Sequence, residues 1–385
     1  MKTVRISRKG AARLASGHLW VFASDVLDRE GAEPGACVHV AGARGEPLGV
    51  AHYSSTSQIC LRMLGAEPAG REFFRKRIAA AAELRKRVVA NTDAYRLVHG
   101  EGDLLPALIV DRYGDFFAIQ TLDQGMDSAK ADIVAVLSEM FRPRGIVERN
   151  DAAVRRHENL PLVSGVLAGE DPSIVEVNMN GIIMHADPLH GQKTGVFLDQ
   201  RENYVAVARH ARAGRALDCF TSTGGFALHM APNCEAVDAI DSSAAALEIA
   251  ERNRKANAIG NVSFREADVF DFLGGRRGTG RRYSTIVLDP PAFAKSRESV
   301  EGAARGYKEI NLRALQILEP GGVLVACSCS HHVSEAMLLE IVASAALDAG
   351  RTLRVLERRT QAQDHPILLT VPETHYLKCL IFEAI

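Results

Sequence analysis

The hydrophobic and polar positions follow two rhythms along this chain. Up to about residue 180 the apolar runs are short and turn-bounded. "GACVHVAGARGEPLGVAHYS" alternates apolar and polar residues around Gly-rich turns, so residues 1–70 predict short strands forming a small β-barrel. Residues 71–90, "REFFRKRIAAAAELRKRVV" and its end, predict an amphipathic helix linking two domains. Residues 95–123 predict a hairpin with its turn at "DRYGD", followed by a helix at about 127–141 and strands at "GIVERN" and "SIVEVNMNGIIMHAD". Together they make a small α+β domain.

From about residue 185 the rhythm changes to repeated β–α alternation. Helix 199–212 precedes strand "RALDCF", helix 224–231, strand "AVDAID", helix 243–257, strand "VSFREA" and a helix near 269–273. Strand "STIVLDPP", helix 302–318, strand "GGVLVACSCS", helix 333–349 and strands "LRVLERR" and "YLKCLIF" complete it. Continuous apolar strands alternating with helices predict an α/β fold, a doubly wound Rossmann-like sheet covered on both faces. The domains expected are 1–72, 73–180 and 181–385.

Composition narrows the class. No apolar run reaches the roughly 18 residues of a membrane helix, and the N-terminus has no apolar signal core. Seven cysteines without zinc-finger spacing fit a reducing, cytoplasmic setting and no metal. Net charge is −1, but residues 1–90 hold 15 Lys and Arg against 8 Asp and Glu. That basic front is the asymmetry expected when one end grips a polyanion, RNA or DNA. A solvated helix face is the plainer reading of part of it. "GGRRGTGRR" at 274–282 is a second basic stretch.

The ligands of a doubly wound sheet sit at the carboxyl ends of its strands. There "ALDCFTSTGGFALHMA" (216–231) outlines a nucleotide-binding turn, with Phe220 and Ser222 where a dinucleotide fingerprint has glycines and only Gly224 and Gly225 remaining. A pyrophosphate needs close backbone approach; S-adenosylmethionine has none and tolerates fewer glycines. Asp241 follows Gly224 by 17 residues and suits the ribose hydroxyls. Asp268, after the next strand, suits the adenine amine. Helix N-capping is the plain alternative for both. Phe220, Thr223, Gly224, Gly225, Gln200 and Arg201 complete the donor-binding set. Asp289 in "LDPPAF" ends a buried strand ahead of two stiffening prolines, where an acid can bond the base being modified. Cys327 and Cys329 share a strand face. Cys327, inside the strand, reads as core. Cys329, at its exit, suits a nucleophile: a thiolate added to carbon 6 of a pyrimidine makes carbon 5 reactive. His331 and His332 read as exposed loop residues.

With those residues in place, "DCFTSTGGF", "LDPPAFAKS", "RGYKEINLRALQILEPGGVLV", "CSCS" and "QAQDHPILLTVPETHYLK" resemble the bacterial 23S rRNA cytosine carbon-5 methyltransferase family, and "VRISRKGAARLASGHLWVFASDV" resembles its PUA domain. The resemblance covers nearly the whole chain. It implies a PUA-like barrel, a middle α+β domain and a seven-stranded class I methyltransferase domain whose last strand runs antiparallel. It also implies S-adenosylmethionine as cofactor, 23S rRNA as partner, no membrane, and room for a homodimer. By that likeness Cys329 and Asp289 are catalytic, while Asp241 and Asp268 grip the donor. Many RNA cytosine methyltransferases carry a second Cys where this chain has Ala292. The same loop resembles enzymes that methylate an exocyclic amine or a guanine ring nitrogen without a cysteine. A dehydrogenase and a non-catalytic RNA-binding protein are the rivals from other classes.

Overall fold

The computed structural model describes residues 1–191, 195–276, 280–294 and 299–385. Part of the basic stretch, 277–279, and Lys295 and Ser296 of "LDPPAFAKS" lie outside them. The chain divides into two compact units: 1–178 with 186–196 and 363–374, and 179–185 with 197–362 and 375–385.

The first unit opens with β1 (Thr3–Ile6), α1 (Arg8–Ala15), β2 (Trp20–Phe22), β3 (Val26–Asp28), β4 (Cys37–Ala41), β5 (Pro47–Tyr53) and β6 (Ile59–Gly65). These strands form one mixed sheet in the order β2-β6-β5-β4-β1-β3. Its core is Val4, Ile6, Val21, Val38, Val40 and Leu61, the inward positions of the alternating pattern. α2 (Arg71–Val88) leads to β7 (Ala94–His99), β8 (Leu108–Tyr113), β9 (Phe116–Thr121), α3 (Gln124–Ser128), α4 (Lys130–Phe141), β10 (Gly145–Asn150) and β11 (Val163–Gly169). The second sheet runs β11-β10-β9-β8-β7.

Two expectations change here. The hairpin expected over 95–123 is three strands, because Gly100 and Leu104 turn the chain with positive φ between β7 and β8. The helix expected at 127–141 comes in two pieces, α3 capped by Asp123 and α4 behind it. Nor is α2 a free connector. Phe73, Phe74 and Ile78 share one core with Val50 and Leu64 of the first sheet and Leu97, Val110 and Ile146 of the second.

The basic excess of residues 1–90 is largely neutralised within this unit. Arg62 pairs with Asp123 and Glu158, Arg71 with Asp132 and Glu139, and Arg85 with Asp103. Every one of those carboxylates lies beyond residue 90. Asp123 and Glu158 are 0% and 1% exposed as side chains, so removing Arg62 with the first sheet would strand two buried charges, at about 3–5 kcal/mol for a broken buried pair. Deleting the first 70 residues is therefore not a clean way to isolate their function. Lys2, Arg8 and Lys9 are exposed and, among the described residues, have no carboxylate partner.

β12 (Val175–Met179) and β13 (Ile182–Ala186) form a two-stranded sheet turned at Asn180–Gly181. The second unit holds α5 (Arg201–His210), β14 (Arg215–Cys219), α6 (Gly225–Met230), β15 (Ala236–Asp241), α7 (Ala244–Ala256), β16 (Val262–Glu266) and α8 (Val269–Arg276). It continues with β17 (Tyr283–Leu288), α9 (Val300–Ile317), β18 (Leu318–Ser328), α10 (Glu335–Asp348), β19 (Leu353–Arg359) and β20 (Lys378–Ala384). The seven strands run β16-β15-β14-β17-β18-β20-β19, and β20 is antiparallel to both neighbours. Strand order reverses between β14 and β17. The crevice outside their carboxyl ends is where such a sheet takes its ligand.

Candidate active site

The turn after β14 explains how a nucleotide loop does without its glycines. Phe220 and Ser222 take positive φ, 65° and 49°, as Gly224 does at 88°. Left-handed backbone costs a residue with a Cβ about 1–2 kcal/mol. Hydrogen bonds hold it there. Thr221 N–H donates to Ile240 O (3.0 Å), Thr221 Oγ1 to Asp218 Oδ2 (2.6 Å), Ser222 N–H to Asp241 Oδ2 (2.8 Å) and Gly224 N–H to Thr221 O (2.9 Å). Gly225 is required sterically, since a Cβ there would lie 2.4 Å from the Tyr204 ring.

Asp241, at the end of β15, also accepts from Ser243 N–H at 2.9 Å. The N-cap of α7 is Ser243, not Asp241. Each Asp241 oxygen thus takes one backbone donor and keeps acceptor capacity for a diol. Asp268 differs. Its Oδ1 accepts from Asp271 N–H (3.0 Å), the N-cap pattern of α8, and the residue is exposed. Its capping role is therefore present and engages one of its two oxygens.

The other edge of the crevice comes from α5 and β17. Gln200 Nε2 donates to Asp289 Oδ2 at 3.1 Å, and Asn203 Nδ2 to Gln200 Oε1 at 2.7 Å. Arg359 Nε donates to Asn203 Oδ1 at 2.9 Å, so a side-chain relay fixes the Asp289 carboxylate. The Arg201 guanidinium is buried and faces Glu202 at 3.6 Å. These groups fit S-adenosylmethionine: carboxylates suited to its hydroxyls and a buried cation suited to its carboxylate.

β18 sits beside β17, with Leu288 opposite Ala326. Cys327 is 1% exposed and pairs across to Cys379, and burial pushes its thiol well above the usual range. Cys329 lies past the strand end, half-buried. Its turn is held by hydroxyls: Tyr307 OH meets Ser328 Oγ at 2.9 Å and Ser330 Oγ at 3.1 Å, and Ser330 Oγ accepts from Ala294 N–H at 3.3 Å. The cysteine turn and the prolyl loop are thereby tied together. His331 and His332 are exposed. No group of metal-ligating side chains occurs among the described residues.

Three participants were not picked out from the sequence. Asp218 lies wholly buried beneath the turn after β14. Tyr204 packs on Gly225. Lys378 opens β20 at 3% exposure. A lysine within the apolar run "LKCLIF" was the available signal for the last.

Residues 149–383 match the family described as S-adenosylmethionine-dependent methyltransferase, and residues 4–65 match a PUA-like domain. The chain belongs to the S-adenosylmethionine-dependent methyltransferase family. It is 38% identical to "Ribosomal RNA large subunit methyltransferase I" of Erwinia tasmaniensis over 98% of each chain. It is 39% identical to the protein of that name from Tolumonas auensis over 100% of this chain and 99% of the other. A crystal structure of a methyltransferase complexed with S-adenosylhomocysteine matches all of both chains with a TM-score of 0.86 at 22% identity, which shows the shared fold. The methyltransferase therefore uses S-adenosylmethionine, has a PUA-like N-terminal domain, and has no described helix long and apolar enough to cross a membrane.

Proposed function

We propose that this methyltransferase forms 5-methylcytosine in the RNA of the large ribosomal subunit, 23S in bacteria, with Cys329 as nucleophile. The relatives' names supply the RNA. The observation that carries the chemistry is the pairing of adjacent strands β17 and β18, the first followed directly by Asp289 and the second by Cys329. Asp289, oriented by Gln200, bonds the cytosine ring. The Cys329 sulfur adds to carbon 6, and the π pair of the 5,6 double bond moves onto carbon 5. When bound, S-adenosylmethionine supplies the electrophilic methyl group that carbon 5 takes. Loss of the carbon-5 proton then re-forms the double bond and expels sulfur. Ala292 offers no second thiol for that step.

RNA with 5-fluorocytosine at the target should form a covalent adduct resistant to denaturing gel electrophoresis, because fluorine replaces the departing proton. Methylation of ordinary RNA with no such adduct would overturn the covalent route in favour of transfer to a ring nitrogen or exocyclic amine.

Asp241, Gln200, Arg201 and the 220–225 turn hold the donor in this reading, with Asp268 at the adenine. Asp241→Ala should weaken S-adenosylmethionine roughly 10- to 150-fold, the loss of one charge-assisted hydrogen bond of about 1.5–3 kcal/mol. An unchanged dissociation constant by calorimetry refutes the assignment.

RNA binding falls to Lys2, Arg8 and Lys9. Arg8 and Lys9 occupy the first turn of α1, where the helix dipole disfavours cations and no acid is present. A polyanion compensates that placement. Replacing all three by Gln should make the fall of RNA affinity with salt shallower, by roughly 0.7–0.9 in log–log slope for each phosphate no longer neutralised. An identical slope in filter binding counts against this surface.

A further inference from the structure

Lys378 begins β20 opposite Ser328, the last residue of β18. Its ammonium is buried. Nζ donates to Ser330 O at 2.7 Å and to Tyr376 O at 2.8 Å, so it grips the peptide just past Cys329. A core position so near a strand end rarely keeps a lysine, because burying its charge is costly. Burial pulls the amine down from its usual 10.5 to about 8, and Cys329 acts against that pull. The other titratable groups nearby are Tyr307 on α9, which bonds Ser328 and Ser330, and Cys379, the next residue of β20. Asp199 accepts from Tyr376 OH at 2.8 Å, and the His331 ring stands 5.8 Å from that of Tyr376. Cys329 is the titratable residue that Lys378 brackets, facing Ser328 across the strand pair on one side of it and bonding the Ser330 carbonyl on the other.

A neutral amine has two N–H donors and one lone pair; an ammonium has three donors. Two donors are taken by the two carbonyls in either state. The remaining position is a lone pair when the amine is neutral and an N–H when it is charged. That is the requirement for sharing a proton with a thiol.

We propose that Lys378 is the proton partner of Cys329, a positioning residue that acts through the thiol. The inference rests on the covalent reading above. The Sγ–H bond breaks and its proton passes to the Nζ lone pair. The sulfur electron pair forms the bond to carbon 6, and the π pair moves to carbon 5, which uses it to bond the transferred methyl group. When product forms, carbon 5 loses its own proton to water, the pair returns to the ring, sulfur leaves, and Nζ gives its proton back. Lys378 thus resets the thiol without a second cysteine.

The test is the pH profile of Cys329 alkylation by iodoacetamide in the full chain, read by peptide mass spectrometry between pH 6 and 10. Lys378→Met should slow labelling of Cys329 at pH 7 roughly tenfold or more, as when an apparent pKa rises by one unit, with the rates converging at high pH. Lys378→Arg, which keeps a cation, should restore most of the rate. A Lys378→Met profile equal to wild type overturns the proposal. So does slowing by one constant factor at every pH, which is the mark of a purely structural role. Retained S-adenosylmethionine affinity certifies the fold. Should Lys378→Met not fold, Cys329→Ala supplies the reciprocal reading: the ε-carbon resonance of Lys378 should titrate at lower pH once the sulfur is gone, and an unmoved titration overturns the pair. The 5-fluorocytosine adduct reads the covalent reaction separately. Loss of the adduct with the alkylation shift intact overturns the covalent chemistry and leaves the coupling standing.

Discussion

Cys329→Ala should abolish methylation and the 5-fluorocytosine adduct together, while Cys327→Ala should retain both. The two cysteines are two residues apart in the chain, yet their surroundings differ. Cys329 lies beyond the last hydrogen-bonded pair of β18, half-buried, on a turn tied to the prolyl loop through Ser330 and Ala294. Cys327 lies in the sheet, with Cys379 opposite and Gln200 nearby, and its thiol is held protonated by burial. Removing a covalent nucleophile should lower turnover by at least a factor on the order of a thousand. Removing the Cys327 sulfur leaves a small cavity, worth about 1–2 kcal/mol of stability, with the reacting groups in place. The measurement is methyl incorporation into ribosomal RNA from a strain lacking the enzyme, with nucleoside mass spectrometry naming the base. Near wild-type incorporation by Cys329→Ala would sink the covalent mechanism.

The central strands β14, β17, β18 and β20 were legible because they are buried on both faces and so read as apolar runs, whereas the edge strands β16 and β19 are largely exposed. The strand order was not legible. Nothing in "YLKCLIF" marks it as the strand that reverses and inserts between β18 and β19, since direction is set by the connection before it. Asp289 and Cys329 were legible for a related reason: a polar residue closing an apolar run marks a strand end, and strand ends are where this fold binds. The turn after β14 was half legible. Gly224 and Gly225 announced it, but the positive φ of Phe220 and Ser222 leaves no trace in residue type, because hydrogen bonds to Asp218 and Asp241 impose it from outside the turn. The basic N-terminus shows the opposite failure. Charge counted along the chain ignores partners brought from elsewhere, and Asp103, Asp123, Asp132, Glu139 and Glu158 come back to cancel much of it. The cations left over include Lys2, Arg8 and Lys9, and also Arg29, Arg44 and Arg87, all exposed.

Asp218→Asn should remove a pH dependence of about 4 kcal/mol from the stability of the chain, the equivalent of a carboxyl shifted by about three units. Asp218 is fully buried at the centre of the sheet, and burial lifts its carboxyl from 3.8 to about 7 despite bonds from Thr221 Oγ1 (2.6 Å) and Ala227 N–H (2.9 Å) that favour the charged form. Asp289 and Asp241 add repulsion. Unfolded, the same carboxyl ionises near its ordinary 3.8. The folded chain therefore holds a proton that the unfolded chain releases. Its contribution to stability is fully present below pH 3.8 and is lost as pH rises from there through about 7. Asparagine cannot ionise, and its oxygen can keep both bonds, which fall on one carboxylate oxygen in the native protein. The stability difference between wild type and Asp218→Asn, from urea unfolding, should thus move in favour of the variant by about 4 kcal/mol between about pH 4 and about pH 7.5. Carboxylates held below their usual range, such as Asp127 and Glu357, act in the opposite sense at low pH, but they are common to both proteins and cancel. A difference that stays flat across that window would show that Asp218 is charged in the fold. The turn after β14 would then be anchored on an anion rather than on a neutral acid.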